Sequence, residues 1–531
     1  MLSKIKEKLL YPFSNDFLFF CLLFILLSLP MAYTKINSYL YHGTLELTYY
    51  IYLIMMFFAL TYIITFTTNI FSKLSIMLKT IVSIVSVLVC LANIFCIRAY
   101  HCMLTSDYLE IIAGTNPNEA KEFFDTYVKW TDVAIIISVI GIVLILLRLS
   151  ITKKVILPSW LTKTLASCLL LSTLAAYRNS GMIEAELGAQ TKNGHWSFQF
   201  DEIVDLRQHP TNPIFAETDT IHPQTIVLII GESFSKSHSS LYGYQRCTNP
   251  LLSKKQESGN LIIFKDVTSP ATSTTKTFKY LLTTYQVGDE EQDKKWYDCT
   301  NVLESFNLLG YHTTWISEQN ETGMFDNLPS GYSKLCKEAI FDETRRPEKY
   351  DDFLIDAFSP SYNQKNFIVY HMYDQHPAFS QRYPDRFCQF GSKIENINKA
   401  SKEERLADYD NATLFNDYVV NSIMDKYKDH NAIVIYLSDH ALDLFESSDT
   451  HCAHANATPE SQKFGKQIPL MIYQTDLFQA AFPDLCSRIN THAEKFFCTD
   501  KLIYTLLDIA GYKFANNEDV KRYSLLSDSS L

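Results

Sequence analysis

The stretch that decides the fold is Thr225-Ile-Val-Leu-Ile-Ile-Gly-Glu-Ser233: a β-branched and apolar run, then a glycine, a carboxylate and a hydroxyl. A run with no polar residue at alternate positions suits a strand buried on both faces. The pattern recurs at His312–Ile316, Asn366–His371, Ala432–Leu437 and Ile468–Tyr473, with helical patterns between, notably Thr275–Thr284 and Asn411–Tyr427. Strands alternating with helices predict an α/β/α domain on a mostly parallel sheet. Sites in such domains gather beyond the carboxyl ends of the strands.

Those ends carry metal-type ligands. Gly231-Glu232-Ser233 follows the first strand, and Ser438-Asp439-His440 follows Ala432–Leu437. Asp374-Gln-His376-Pro follows Asn366–His371, and His451-Cys-Ala-His454 lies before the last strand. Singly, each is an ordinary solvated carboxylate or satisfied histidine. Together at strand ends, carboxylates and imidazoles suit a borderline cation such as zinc or manganese. Hydroxyls come from Thr268-Ser-Pro-Ala-Thr-Ser-Thr-Thr-Lys-Thr277, just ahead of a helical pattern. A hydroxyl at a helix N-terminus faces N–H donors that can hold a phosphate, and metal coordination makes it nucleophilic. Ser and Thr also serve as plain N-caps, and spacing alone does not choose among them.

Toward the N-terminus the chemistry changes. The 531 residues carry a formal net charge of −11, yet residues 1–177 hold 13 Lys and Arg against 9 Asp and Glu, and the rest hold 34 against 49. The acidic balance excludes a nucleic-acid binder, which needs a basic stripe. Apolar runs at Phe17–Tyr33, Tyr49–Phe71, Thr80–Ile97, Val133–Leu147 (extending over Val128 to Leu149) and Val155–Tyr177 approach the roughly 20 residues a spanning helix needs. Lys4, Lys6, Lys8, Lys73, Lys79, Arg148, Lys153 and Lys154 fall on one side, and Lys35, Lys121 and Lys129 on the other, with Arg98 at an edge. This bias sets the N-terminus in the cytoplasm, and five spans leave everything after Tyr177 outside it. Leu29-Pro-Met-Ala lacks a small-x-small cleavage site, so the first span reads as an anchor. Tyr108–Ala113 and Ala120–Tyr127, around an Asn116-Pro turn, read as short interfacial helices. The expected organisation is a five-helix transmembrane region over 1–177, a polar linker over 178–222 and a catalytic domain over 223–531. Seven cysteines lie in the outer domain, where an oxidising compartment permits disulfides; Cys486–Cys498 and Cys299–Cys336 are the expected bridges. Cys452, between candidate ligands, is at most a soft metal contact.

At this point the chain resembles the phosphoethanolamine transferases of Gram-negative inner membranes, in the alkaline phosphatase/sulfatase superfamily. The resemblance runs through Thr115-Asn-Pro-Asn-Glu-Ala-Lys-Glu-Phe123, Gly231-Glu-Ser-Phe234, Ser240-Leu-Tyr-Gly-Tyr-Gln-Arg-Cys-Thr-Asn-Pro250, His376-Pro-Ala-Phe-Ser-Gln-Arg-Tyr-Pro384, Tyr409-Asp-Asn411 and Leu437-Ser-Asp-His440. It implies that Glu232, Asp439 and His440 bind zinc, and that Thr274 is both nucleophile and zinc ligand, with Thr272 or Thr275 as substitutes. It also implies that His376 and His454 lie near the reacting phosphate, holding a second zinc or the substrate; His454 is preferred to His451 for its distance to Ile468-Pro-Leu-Met-Ile472. Ala441 stands where the family usually has Gly, and the nucleophile loop lacks a nearby cysteine.

The implied reaction moves phosphoethanolamine from phosphatidylethanolamine to lipid A or the lipopolysaccharide core through a phospho-threonine, releasing diacylglycerol. The implied setting is the bacterial inner membrane, with the catalytic domain in the periplasm. A glycerol-phosphate transferase of the lipoteichoic-acid-synthase kind is the alternative enzyme; Tyr-Gly-Tyr-x-Arg and His-Pro…Arg-Tyr-Pro argue against it. A sulfatase needs a C/S-x-P-x-R nucleophile motif, which is absent. A non-catalytic sensor would be expected to lose some of Glu232, Thr274, Asp439 and His440, and all four remain.

Overall fold

The computed structural model describes residues 9–178 except 14–15, 43–46, 71–73, 101–103, most of 105–129, 153–154 and 156; it also describes 211–528 except 320–327, 343–349, 392, 395–399, 449–451, 454–458 and 516–522. The chain divides into two compact units: residues 1–106 with 128–195, and residues 107–127 with 196–531.

In the first unit the five apolar runs are helical: α1 (Phe17–His42), α2 (Leu47–Ile70), α3 (Ser75–Tyr100), α4 (Trp130–Thr152) and α5 (Ser159–Arg178). Among the described residues, two stretches, Ser75–Arg98 and Trp130–Ser150, are long and apolar enough to cross a bilayer, and Phe17–Ala32 and Ile54–Ile70 are shorter apolar stretches. Phe19, Leu22, Leu23 and Leu26 of α1 pack against Val87 and Cys90 of α3 and Val143 and Leu147 of α4. The outward faces are equally apolar. Ile76, Leu88, Ile137 and Leu144 are each more than 60% exposed, a surface that water does not favour. Charges inside the unit are paired: Lys79 donates to Asp16 at 2.6 Å, Asn69 also donates to Asp16, and Arg98 pairs with Asp132. Lys79 is therefore neutralised by Asp16, and the topology argument rests on the remaining basic residues. The two expected interfacial helices lie almost wholly outside the described residues.

The second unit is built on a seven-stranded sheet. Its seven strands and one separate pair are, in chain order, β1 (Phe215–Glu217), β2 (Thr225–Gly231), β3 (Leu261–Phe264), β4 (His312–Ser317), β5 (Glu338–Phe341), β6 (Asn366–His371), β7 (Ala432–Ser438), β8 (Leu470–Gln474) and β9 (Tyr512–Phe514); two-residue strands lie outside this set. The sheet order is β3-β8-β7-β2-β6-β4-β5, while β1 pairs with β9 apart from it. Thus strand structure begins at Phe215, inside the stretch read as linker.

Strands β7, β2, β6, β4 and β5 are parallel, but β8 runs antiparallel to both its neighbours. This corrects the reading of Ile468–Tyr473 as one more parallel strand. The connection from β7 to β8 runs over residues 439–469 and holds the seven-residue helix Pro459–Gly465.

Side chains of β2 alternate between two cores. Ile226, Leu228 and Ile230 pack with Phe278 and Leu281 of α7 (Thr274–Leu281) and with Leu502, Ile503 and Leu506. Val227 and Ile229 pack with Ala412, Phe415, Val419, Val420, Ile423 and Met424 of α8 (Lys402–Tyr427). Period-two alternation into two buried cores makes the domain three layers, helices on both faces of the sheet. Each large apolar side chain buried in this way contributes roughly 1.5–3 kcal/mol.

Candidate metal centre

Register builds the site. In the parallel pair β2–β7, Gly231 stands opposite Ser438, so the next residues, Glu232 and Asp439, leave the sheet side by side. The Asp439 N–H donates to the Gly231 carbonyl at 3.0 Å and continues the ladder by one bond. Gly231 must be glycine: a Cβ there would lie 2.4 Å from the Tyr436 hydroxyl and 2.6 Å from Asp374 Oδ2. Ser233 then turns the chain at φ 61°, a left-handed conformation uncommon outside glycine. The Tyr409 hydroxyl donates to the Ser233 carbonyl at 2.9 Å and accepts from the Ser235 N–H at 2.7 Å.

Glu232, Asp439 and His440 form a buried group able to hold a metal ion. His440 Nε2 lies 3.2 Å from Glu232 Oε1 and 3.6 Å from Asp439 Oδ2. His440 Nδ1 is 3.0 Å from the Ala441 carbonyl; donation there orients the ring with Nε2 toward the carboxylates. From α7, Thr274 Oγ1 donates to Glu232 Oε2 at 2.9 Å and lies 3.4 Å from His440 Nε2. Of the hydroxyls the sequence left open, Thr274 is the one placed here, at the N-terminus of α7 after the extended Ser273. Among the described residues, Thr272 and Thr275 make no such contact.

Burial opposes charge on all three titratable groups. At Glu232 the imidazole of His440 outweighs burial and holds the carboxyl well below its usual range. At Asp439 burial, reinforced by the charge of Glu232, raises the carboxyl to about 7. Burial would lower His440, but Asp439 and Glu232 together raise it to about 9. Two buried carboxylates thus compete for one positive charge. Asp439 Oδ2 is fully buried and accepts no hydrogen bond, an expensive state for a carboxylate oxygen.

These features fit zinc. The donor set is oxygen with one nitrogen. Separations of 3.2–3.6 Å around His440 Nε2 match the edges, about 3.3–3.5 Å, of a tetrahedron with bonds of about 2.0–2.1 Å.

His376 lies outside this quartet, half-buried, but near enough for its charge to act on Glu232. Its turn is tightly held. Asp351 accepts from the Tyr373 and Asp374 N–H groups at 2.8 and 2.7 Å, and the Gln375 N–H donates to the Glu232 carbonyl at 3.2 Å. Arg382 is buried: its Nε donates to the His376 carbonyl at 3.1 Å and its terminal nitrogen to that of Pro377 at 3.0 Å. Its guanidinium lies 4.0 Å from the Tyr373 ring centroid, and that ring stacks on His376 at 4.9 Å. His454 and His451 fall outside the described residues.

The motif residues without metal-ligand chemistry form a scaffold. Asp410 is buried and accepts from Tyr244 at 2.9 Å and Arg246 at 2.7 Å, and its other oxygen lies 2.7 Å from His238 Nδ1. Asn411 Oδ1 accepts from the Gln389 and Phe390 N–H groups. Sequence reasoning missed the roles of Ser233, Asp351, Tyr373, Arg382 and Tyr409. All but Asp351 and Tyr373 lie within the quoted motifs, so a signal existed without its geometry.

The expected disulfides are not formed: Cys299, Cys336, Cys486 and Cys498 are free thiols. The Cys299 thiol points instead to the Lys295 carbonyl at 3.4 Å, while Cys336 meets Thr313. Cys452 stands outside the metal group, on a short strand paired with Asp443–Leu444.

A three-layer domain that gathers two carboxylates, an imidazole and a helix-terminal hydroxyl at the ends of parallel strands defines a class of metal-site ester-transfer and hydrolysis domains. The chain belongs to the sulfatase family, whose model matches residues 224–512. It is 25% identical over 312 residues to phosphoethanolamine transferase EptC of Escherichia coli K12, covering 56% of this chain. The match covers 53% of that protein, so the chain spans about half the length of the curated relatives it matches. In fold it is similar to the integral membrane lipooligosaccharide phosphoethanolamine transferase A of Neisseria meningitidis, with a TM-score of 0.70 at 19% identity over 96% of this chain and 98% of that one. It is also similar to the periplasmic domain of Escherichia coli EptC in complex with zinc, with a TM-score of 0.52 at 23% identity over 60% of this chain and 90% of that one.

Proposed function

We propose that this chain is a zinc-dependent phosphoethanolamine transferase of the inner membrane. The observation that carries the reading is Thr274 Oγ1, at a helix N-terminus, within 2.9 Å of Glu232 and 3.4 Å of His440 in a buried carboxylate–imidazole group. Glu232, Thr274, Asp439 and His440 would hold the ion, which supplies Lewis acidity and a lowered hydroxyl pKa. Thr274 gives up its hydroxyl proton, passed out to water, and its Oγ attacks the phosphorus of phosphatidylethanolamine; the bond to the diacylglycerol oxygen breaks, and a histidine, His376 or His454, protonates that oxygen. A lipid A or lipopolysaccharide-core acceptor then displaces the threonine from the phosphoethanolamine group. Residues 1–177 would form five spans with a cytoplasmic N-terminus, 178–222 a linker and 223–531 the periplasmic domain. The all-round apolarity of α3 and α4 supports that setting, and the fold likeness supports the chemistry.

The test is incubation of the purified protein with fluorescent phosphatidylethanolamine, with and without zinc. Zinc-dependent release of fluorescent diacylglycerol is expected, lost in Thr274→Ala. No release from zinc-loaded protein would sink the activity, and full release by the variant would sink the nucleophile.

A further inference from the structure

We propose that Ser233 is a positioning residue of this metal centre, which bonds both carboxylates and so fixes how they face the cation. The inference rests on the zinc reading of the site.

Four observations converge on it. The Ser233 hydroxyl donates to Glu232 Oε1 at 2.6 Å, and the Ser233 N–H donates to Asp439 Oδ1 at 3.2 Å. One residue therefore bonds both carboxylates, though they come from strands more than 200 residues apart in sequence. The His440 N–H adds a second bond to the same Asp439 oxygen, at 2.6 Å. Both Glu232 oxygens then face the site, Oε1 at 3.2 Å from His440 Nε2 and Oε2 at 2.9 Å from Thr274 Oγ1, while Asp439 turns Oδ2, buried without a hydrogen bond, toward His440 Nε2 at 3.6 Å. Carboxylates held in this way are pre-oriented for a cation.

The backbone shows what this arrangement costs. Ser233 sits at φ 61°, where glycine is the easy residue and a side chain is strained. Serine stands there all the same, and its hydroxyl is the group glycine would lack. The turn is clamped on both sides. Tyr409 bonds the Ser233 carbonyl and the Ser235 N–H, and the Phe234 N–H donates to Ser438 Oγ at 2.9 Å. On this fixed backbone the hydroxyl is directed to Glu232. A plain structural serine at a turn would be improved by glycine; a serine that orients a ligand would not.

The full-length protein in detergent tests this with Ser233→Gly and Ser233→Ala. Zinc affinity is read by competition with a chromophoric chelator, and the thermal midpoint is read on the zinc-free form. Both variants lose the bond to Glu232; glycine offsets this by adopting the turn freely, whereas alanine keeps the strain, so the zinc-free midpoint is expected near wild type for Ser233→Gly and lower for Ser233→Ala. Zinc affinity is expected to fall about 10- to 100-fold in both. Wild-type zinc affinity in either folded variant overturns the assignment of Ser233 alone. A wild-type protein that takes up no zinc overturns the zinc reading on which the assignment stands.

Discussion

At the level of single residues, the site separates into groups that would meet a bound cation and groups that hold them in place. Glu232, Asp439 and His440 were legible because each follows a strand, where chain direction alone brings ligands together; spacing left the hydroxyls of 268–277 open, and only the resemblance singled out Thr274. Asp351 was not: it lies 22 residues before Tyr373, in no motif, and only the folded chain shows it capping two N–H groups of the His376 turn. Arg382 was legible as part of a motif but not as the base of a stack running from its guanidinium through Tyr373 to His376. Lysine keeps the charge of Arg382 but has neither the planar face nor the fork that bonds two carbonyls. Arg382→Lys should therefore lower kcat about tenfold to a hundredfold, as small displacements of reacting groups do. Zinc affinity should hardly move, because His376 stands outside the quartet. Equal loss of zinc and of turnover would show that Arg382 supports the whole centre instead.

At the level of elements, strands buried on both faces were readable from their apolar runs, whereas β3 and β5, four residues each at the sheet edges, were not. The helix expected at Asn411–Tyr427 begins nine residues earlier, at Lys402. Its first turns are polar, so no periodicity marked them; the capping box formed by Ser401 and Glu404 was the available signal. The same helix carries Asp417, which accepts from the Leu251 and Leu252 N–H groups at 2.9 Å and so caps the short helix Pro250–Glu257. Burial pushes the Asp417 carboxyl up to about 7. Its folded pKa is above the unfolded one, so the folded state binds the extra proton between about pH 4 and 7. The stability it contributes is present at the acid end and lost as pH rises through 7. Asp417→Asn removes that dependence: melting curves should show the substitution growing less harmful from pH 4 to pH 7, and a constant difference would contradict the shift. Among the membrane-type helices, the buried Asp16–Lys79 pair joins α1 to α3. Lys79→Met leaves Asp16 without its partner and should cost about 3–5 kcal/mol. The double variant Asp16→Asn/Lys79→Met should recover most of this in detergent melts; no recovery would mean that the pair does more than neutralise charge.

For the whole molecule, the division between an apolar, slightly basic N-terminal part and an acidic domain was written in the composition, and the helices and sheet fall on either side of it. The disulfides were not readable, because pairing depends on distances the sequence does not contain. Nor was the reversal of β8, because an apolar run reads the same whichever way the strand points. The account joins these parts through a single chemical event, transfer of a phosphoethanolamine group onto Thr274. The most direct test is mass spectrometry of the zinc-loaded full-length protein, quenched in acid during incubation with phosphatidylethanolamine and no acceptor. A phosphoethanolamine adduct on the peptide containing Thr274, formed together with diacylglycerol and absent from Thr274→Ala, is the predicted result. Diacylglycerol release with the adduct on another residue, or with the variant as active as wild type, would contradict it.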